Sequence, residues 1–172
     1  MSKPQPMPIT MIRHRGFFDY EKLVQTWQDW FAEQDFDYPS SDFQTIHPQK
    51  LTDFGWEVRA EFFADKKVTE YVKFIFKLRV ILQNMKEVEL IVEGKKRKLM
   101  EGLATIDIIP LIQFDYQERF PEGKGKIVEW MGKALEKYIL KYKIGDYWED
   151  MLLDMSTALA KELRHVLEQE VT

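Results

Sequence analysis

Two runs of strictly alternating residues constrain this chain more than any other feature. Trp56, Val58, Ala60 and Phe62 alternate with Glu57, Arg59, Glu61 and Phe63; Val72, Phe74, Phe76, Leu78, Val80 and Leu82 alternate with a face carrying Lys73, Lys77 and Arg79. A period of two sends one set to a buried sheet face and the other toward solvent. The runs flank Asp65-Lys66-Lys67 and therefore predict an antiparallel hairpin. Pairing Phe63 with Tyr71 sets Glu61 opposite Lys73 and Glu57 opposite Lys77, while Trp56, Val58, Ala60 and Phe62 meet Leu78, Phe76, Phe74 and Val72. A slip of one residue would reverse every face.

Strands continue beyond this pair. Val88 to Glu93 reads as a strand, Gly94 to Lys98 as a turn, and Leu99 to about Tyr116 as a returning strand interrupted by Pro110, which marks a bulge, bend or edge. A strand of about 14 residues spans roughly 45 Å, too long for a flat sheet in so small a protein, so the sheet is expected to curve strongly.

Helices bracket the strands. After a short strand from Ile9 and Met11 to His14-Arg15-Gly16, Asp19 caps a helix running from about Tyr20 to Gln34, with Leu23, Trp27, Trp30 and Phe31 on its apolar stripe. Residues 35–55 read as irregular connection with a short strand at Phe43 to Ile46. After a loop at Pro121 to Gly125, Ile127, Trp130, Met131, Ala134, Leu135, Tyr138, Ile139 and Tyr142 form one apolar helix face. Gly145 ends that helix, Asp146 caps the next, and Trp148, Leu152, Met155, Leu159 and Val166 mark its inner side to about Gln169. The predicted fold is α+β: a strongly curved antiparallel β-sheet packed against an N-terminal helix and two C-terminal helices.

The 172 residues suit one domain over 1–172, with 1–8 as a flexible lead-in, and 45% hydrophobic with 14% aromatic residues supplies its core. A net charge of −4 argues against a global pull toward nucleic acid. The absence of cysteine excludes disulfides, thiolate metal sites and a cysteine nucleophile, and suits a reducing, cytoplasmic setting. No secretory leader and no transmembrane segment is expected.

Several groups carry chemistry in principle. His14 between Arg13 and Arg15 invites an anion near the first helix, against the plainer reading of a solvated strand end. Asp146, Asp150 and Asp154, with Glu149, line one helix face as hard-cation ligands would, but acidic residues in a first turn are explained by the helix dipole, so no metal site is assigned. Lys95-Lys96-Arg97-Lys98 reads as a solvated hairpin tip. Lys73, Lys77 and Arg79 form a ladder that Glu57 and Glu61 neutralise. Asp115-Tyr116 with Glu118 and Arg119 anchors the exit from the last strand. No nucleophile–base constellation, phosphate loop or dinucleotide motif is present, so no catalytic residue and no cofactor is assigned.

The Gly16-Phe17 exit into a Trp-rich helix, the Trp56 to Leu82 ladder, the Asp115-Tyr116 strand exit and the paired C-terminal helices resemble small archaeal α+β proteins that have no assigned activity. The element order is also loosely similar to the helix-grip fold of START and Bet v 1-like proteins, in which a curved sheet wraps a long C-terminal helix around an apolar ligand. That resemblance implies a cavity lined here by Trp27, Trp30, Phe74, Phe76, Trp130 and Tyr138. This chain departs from it at Gly145-Asp146, which splits the C-terminal helix in two.

The expected function is that of a non-enzymatic interaction or structural protein, acting by self-association or on a protein partner, with Met151 and Leu153 offering apolar surface on the last helix. The alternatives are a helix-grip-like carrier of an apolar small molecule and, third, a hydrolase-like enzyme.

Overall fold

The computed structural model describes residues 3–117, 125–141 and 144–168. In chain order the elements are β1 (Gln5–Pro6), β2 (Thr10–Phe18), α1 (Tyr20–Glu33), β3 (Gln49–Thr52), β4 (Gly55–Lys67), β5 (Val72–Val92), β6 (Lys95–Phe114), α2 (Lys126–Lys141) and α3 (Ile144–Glu168). The strands form one curled antiparallel sheet, a half-barrel, in the order β1-β6-β5-β4-β3, with β2 also pairing β6. The predicted α+β architecture, one helix before the long strands and two after, is therefore present. The expected loop at Pro121, together with Glu118, Arg119, Tyr142 and Gln169, lies outside the described residues.

Alternation decides the layers. Val72, Phe74, Phe76, Leu78, Val80 and Leu82 of β5 are all buried, beside Ala60 and Ala64 of β4 and Ala104, Ile106, Ile108 and Ile112 of β6. Against this face lie Leu23, Trp27, Trp30 and Phe31 of α1 and Leu152, Leu159, Leu163 and Val166 of α3. Helix α1 starts where Asp19 accepts a hydrogen bond from Lys22 N–H (3.0 Å), as its sequence predicts.

The β4–β5 register differs from the predicted one. Glu61 lies opposite Arg79 rather than Lys73, and Phe63 opposite Lys77 rather than Tyr71. Asp65, Lys66 and Lys67 are strand residues, paired with Ile75, Phe74 and Lys73, and the chain reverses at Thr69-Glu70 instead. There the Thr69 hydroxyl accepts the N–H groups of Tyr71 (3.1 Å) and Val72 (2.9 Å). From Val58 onward the shift is even in residue count, so Val58, Ala60 and Phe62 keep their predicted face, whereas Trp56, expected beside them, pairs with Met85 across a bulge and is exposed.

Strands β5 and β6 are longer than predicted, and the expected break after Leu82 is a bulge between Gln83 and Lys86. Two glycines make room for it. A Cβ on Gly102 of β6 would stand 2.8 Å from the Gln83 carbonyl oxygen, and one on Gly55 of β4 would stand 2.7 Å from the Met85 carbonyl oxygen. Beyond the bulge the two strands continue to a two-residue turn at Glu93-Gly94, both at positive φ, as mirror-image hairpin turns require. Lys95 to Lys98 thus belong to β6 rather than to the turn.

Pro110 sits inside β6, yet it removes no ladder bond. Its carbonyl accepts Met7 N–H (2.9 Å), so its nitrogen faces the same flank, where β2 has ended at Thr10 and β1 resumes at Pro6. The stretch expected as a lead-in contains β1, whose Gln5 and Pro6 pair with Ile112 and Leu111. The strand expected at Phe43 to Ile46 is a single bridge from Ile46 to Glu61, and β3 follows at Gln49.

Candidate functional site

Three places merit a functional reading: the aromatic interior, an ionic knot on the outer sheet face, and the exposed surface of α2 and α3. In the interior, ring centroids of Trp30 and Phe76 are 5.9 Å apart, Phe31 and Phe76 5.8 Å, Trp27 and Phe62 5.3 Å, and Phe74 and Trp148 6.1 Å. These are contact distances for edge and tilted rings. Trp27, Trp30, Phe74 and Phe76 are thus brought together as packing between sheet and helices. Trp130 lies elsewhere, exposed on α2, and Tyr138 belongs to α2 with its side chain outside the described residues.

The ionic knot was not legible in the sequence. Lys73, 4% exposed, lies 3.0 Å from the Asp65 carboxylate and also bonds Asp42, while Asp65 accepts the Ser40 hydroxyl. Burial alone would lower the Lys73 pKa, but the hydrogen bonds to Asp42 and Asp65 outweigh it and hold the ammonium above its ordinary value. Asp42 is correspondingly held below the usual carboxylate range by its hydrogen bond to Lys73 and by that charge. Residues 37–46 reach the knot by running along the free edge of β4. Asp37 and Asp65 exchange backbone bonds (2.8 and 3.1 Å), Ser40 N–H donates to Phe63 O (2.9 Å), and Phe43 stacks on Phe63 at 5.1 Å. Covering the edge in this way satisfies backbone groups that would otherwise invite another strand.

Beside the knot is a cleft of about 370 Å³ lined by Asp35, Asp37, Ser41, Asp42, Asp65, Lys66 and Lys67. Several of its polar groups are engaged by their neighbours. Ser40 Oγ donates to Asp65 and accepts Asp42 N–H (3.2 Å), Ser41 Oγ donates to Asp37 (3.1 Å), and Lys66 donates to Gln34 O (2.7 Å). Both Asp65 oxygens are engaged, one by Ser40 and one by Lys73, so the carboxylate is a tether rather than a poised base.

The other charged candidates resolve similarly. Glu61 bridges Lys77 (2.9 Å) and Arg79 (3.4 Å), and Arg79 approaches Asp107 at 3.8 Å. The outer face is salt-bridged as the sequence suggests, but with partners changed by the register. His14 turns to the helix side, where its Nε2 donates to Phe17 O (3.1 Å), while Arg13 and Arg15 point away and are exposed. Strand alternation thus separates the three members of the expected anion site. Lys98 pairs Glu87 (3.1 Å) on the exposed hairpin. Asp115 N–H donates to Tyr71 O (2.8 Å) and Tyr116 Oη to Thr69 O (3.1 Å), anchoring the end of β6 to the β4–β5 turn. Among the described residues no group of three or more His, Asp or Glu side chains is placed to hold a metal ion, and Asp146, Asp150 and Asp154 are exposed along α3.

The third place is the least expected. Ile127, Trp130, Met131 and Ala134 fall at i, i+3, i+4 and i+7 and so share one face of α2. The sequence predicts that face to be the docked one, yet it is open: Ile127 is 75% exposed, Trp130 69% and Met131 47%. Helix α2 rests on α3, which adds exposed Tyr147 and Met151 to the same pair of helices. Leu153, expected to join this surface, is half-buried.

No protein-family model and no curated protein matches this chain. Among the described residues no helix is long and apolar enough to cross a membrane.

Proposed function

We propose that this chain is a non-enzymatic interaction protein that engages another polypeptide through the apolar face of α2 and the exposed turns of α3. The observation that carries the reading is Trp130, 69% exposed beside Ile127 and Met131 on one helix face. Scattered surface apolar residues need no explanation, but several large ones contiguous on a helix mark a contact surface. Aromatic and methionine side chains are also those enriched at protein interfaces. The Ser40 hydroxyl, the His14 imidazole and the Asp65 carboxylate are each engaged in structural bonds. The aromatic rings between sheet and helices lie in mutual contact, which favours a protein surface over an interior ligand as the seat of function.

Hydrogen–deuterium exchange and native mass spectrometry on the purified protein, alone and with material captured from its source cell, test this. Partner-dependent protection of α2 that Trp130→Glu abolishes is the expected result. A partner or ligand that protects the β4–β5 cleft or the interior and leaves α2 unchanged overturns it.

A further inference from the structure

The charged residues beside the apolar face name its occupant. On α2, Lys126, Lys133 and Lys137 are exposed and fall at i, i+7 and i+11, a basic stripe alongside Trp130. On α3, Asp146, Asp150 and Asp154 are exposed at i, i+4 and i+8, an acidic stripe alongside Tyr147 and Met151. Among the described residues none of these six charges is in an ion pair, whereas lysines and acids of the sheet pair with one another. Each stripe is therefore free to meet an opposite charge.

We infer that the occupant is a second copy of this chain, bound about a two-fold axis that sets the lysine stripe of α2 against the aspartate stripe of α3 in its partner. The inference rests on the interface reading above. A two-fold contact apposes a patch to itself, so that residue i meets j and j meets i. A patch of one sign repels its own copy. This one carries three positive and three negative positions on separate helices, so the same apposition makes two attractive contacts, while the apolar residues close the space between them. Ile127, Trp130, Met131, Tyr147 and Met151 together expose on the order of 600 Å², against about 800 Å² per partner in a stable interface. The charged stripes extend the patch toward that size. The net charge of −4 is small enough not to oppose the approach of two copies.

The experiment is sedimentation velocity over a concentration series with two charge-reversal variants, Lys133→Glu with Lys137→Glu, and Asp150→Lys with Asp154→Lys. Wild type dimerises, and each variant alone dimerises roughly tenfold or more weakly, because the net charge of its altered stripe then has the same sign as the stripe it must meet. An equimolar mixture of the two recovers the dimer, since each lysine-to-glutamate α2 now faces an aspartate-to-lysine α3 and the unaltered pair still matches. Circular dichroism verifies that both variants fold, and Trp130→Glu serves as a third, independent disruption. A wild type that stays monomeric overturns the inference, as does a dimer whose charge variants fail to recover on mixing. The interface reading is scored separately: if wild type is monomeric but holds a different protein that Trp130→Glu releases, that reading stands and the second copy falls. A dimer indifferent to Trp130→Glu removes both.

Discussion

The Lys73 ammonium lies 3.0 Å from the Asp65 carboxylate, with both residues buried on the outer face of a sheet whose apolar core is on the other side. The pair joins the end of the β4–β5 hairpin to residues 37–46, through Ser40 on Asp65 and Asp42 on Lys73. A buried ion pair adds little net stability over an apolar substitute, but removing one partner strands the other.

Lys73→Met is accordingly expected to cost about 3–5 kcal/mol, because Asp65 would remain buried without its countercharge. Urea unfolding measures it. A loss under about 1 kcal/mol would mean that water reaches the carboxylate.

The same contact predicts a pH dependence. Asp42 is held below the ordinary carboxylate range, so its contribution is present above about pH 3.9 and is lost as pH falls through its lower folded value. Lys73 is raised, so its contribution is present below about pH 10.4 and is lost as pH rises through its higher folded value. Asp42→Asn should flatten the acid limb of a Tm–pH profile by under about 1 kcal/mol, since Asp42 is more than half exposed. Superimposable wild-type and variant profiles would show that the contact is not energetically coupled.

The bulge in β5 makes Gly102 intolerant of a side chain. Gly102→Ala places a Cβ 2.5 Å from Met85 Sδ and 2.8 Å from the Gln83 carbonyl oxygen, and the second cannot move without the strand. A loss of about 1–3 kcal/mol or more is expected from overpacking. At Gly94, with φ +76° and open space around it, alanine should cost only about 1 kcal/mol, the strain of the backbone conformation. Thermal denaturation of the two variants should rank them in that order.

Trp27 and Trp130 should behave oppositely. Trp27 is fully buried, and its indole N–H donates to Tyr38 Oη (3.0 Å), so Trp27→Ala is expected to lose about 3–5 kcal/mol. Trp130→Ala, measured at concentrations too low for association, should change stability by no more than about 0.5 kcal/mol. It should also remove the most red-shifted part of the tryptophan emission. A large stability loss there would mean that the indole is packed within the chain.

How far the sequence could be read depended on the kind of signal. The Asp19 cap and the Leu23, Trp27, Trp30, Phe31 stripe are local, and α1 begins and docks as they predict. The ionic knot joins Asp42, Asp65 and Lys73, and the distance in sequence between its members leaves no local trace. The open face of α2 escaped for a different reason: Ile127, Trp130 and Met131 have the same periodicity whether the helix docks in its own core or faces another surface.

The alternation from Val58 to Leu82 marks both limits. By itself it determined which side chains face the helices and which face outward, because that choice depends only on parity along the strand. It could not determine the pairing. Lys73, Lys77 and Arg79 occupy the same face, so Glu61 finds a positive partner after any of several even shifts, and cross-strand charge is indifferent among them. Tertiary structure made the choice: with Asp65 buried and needing Lys73, the turn moved out to Thr69-Glu70 and brought Arg79 opposite Glu61.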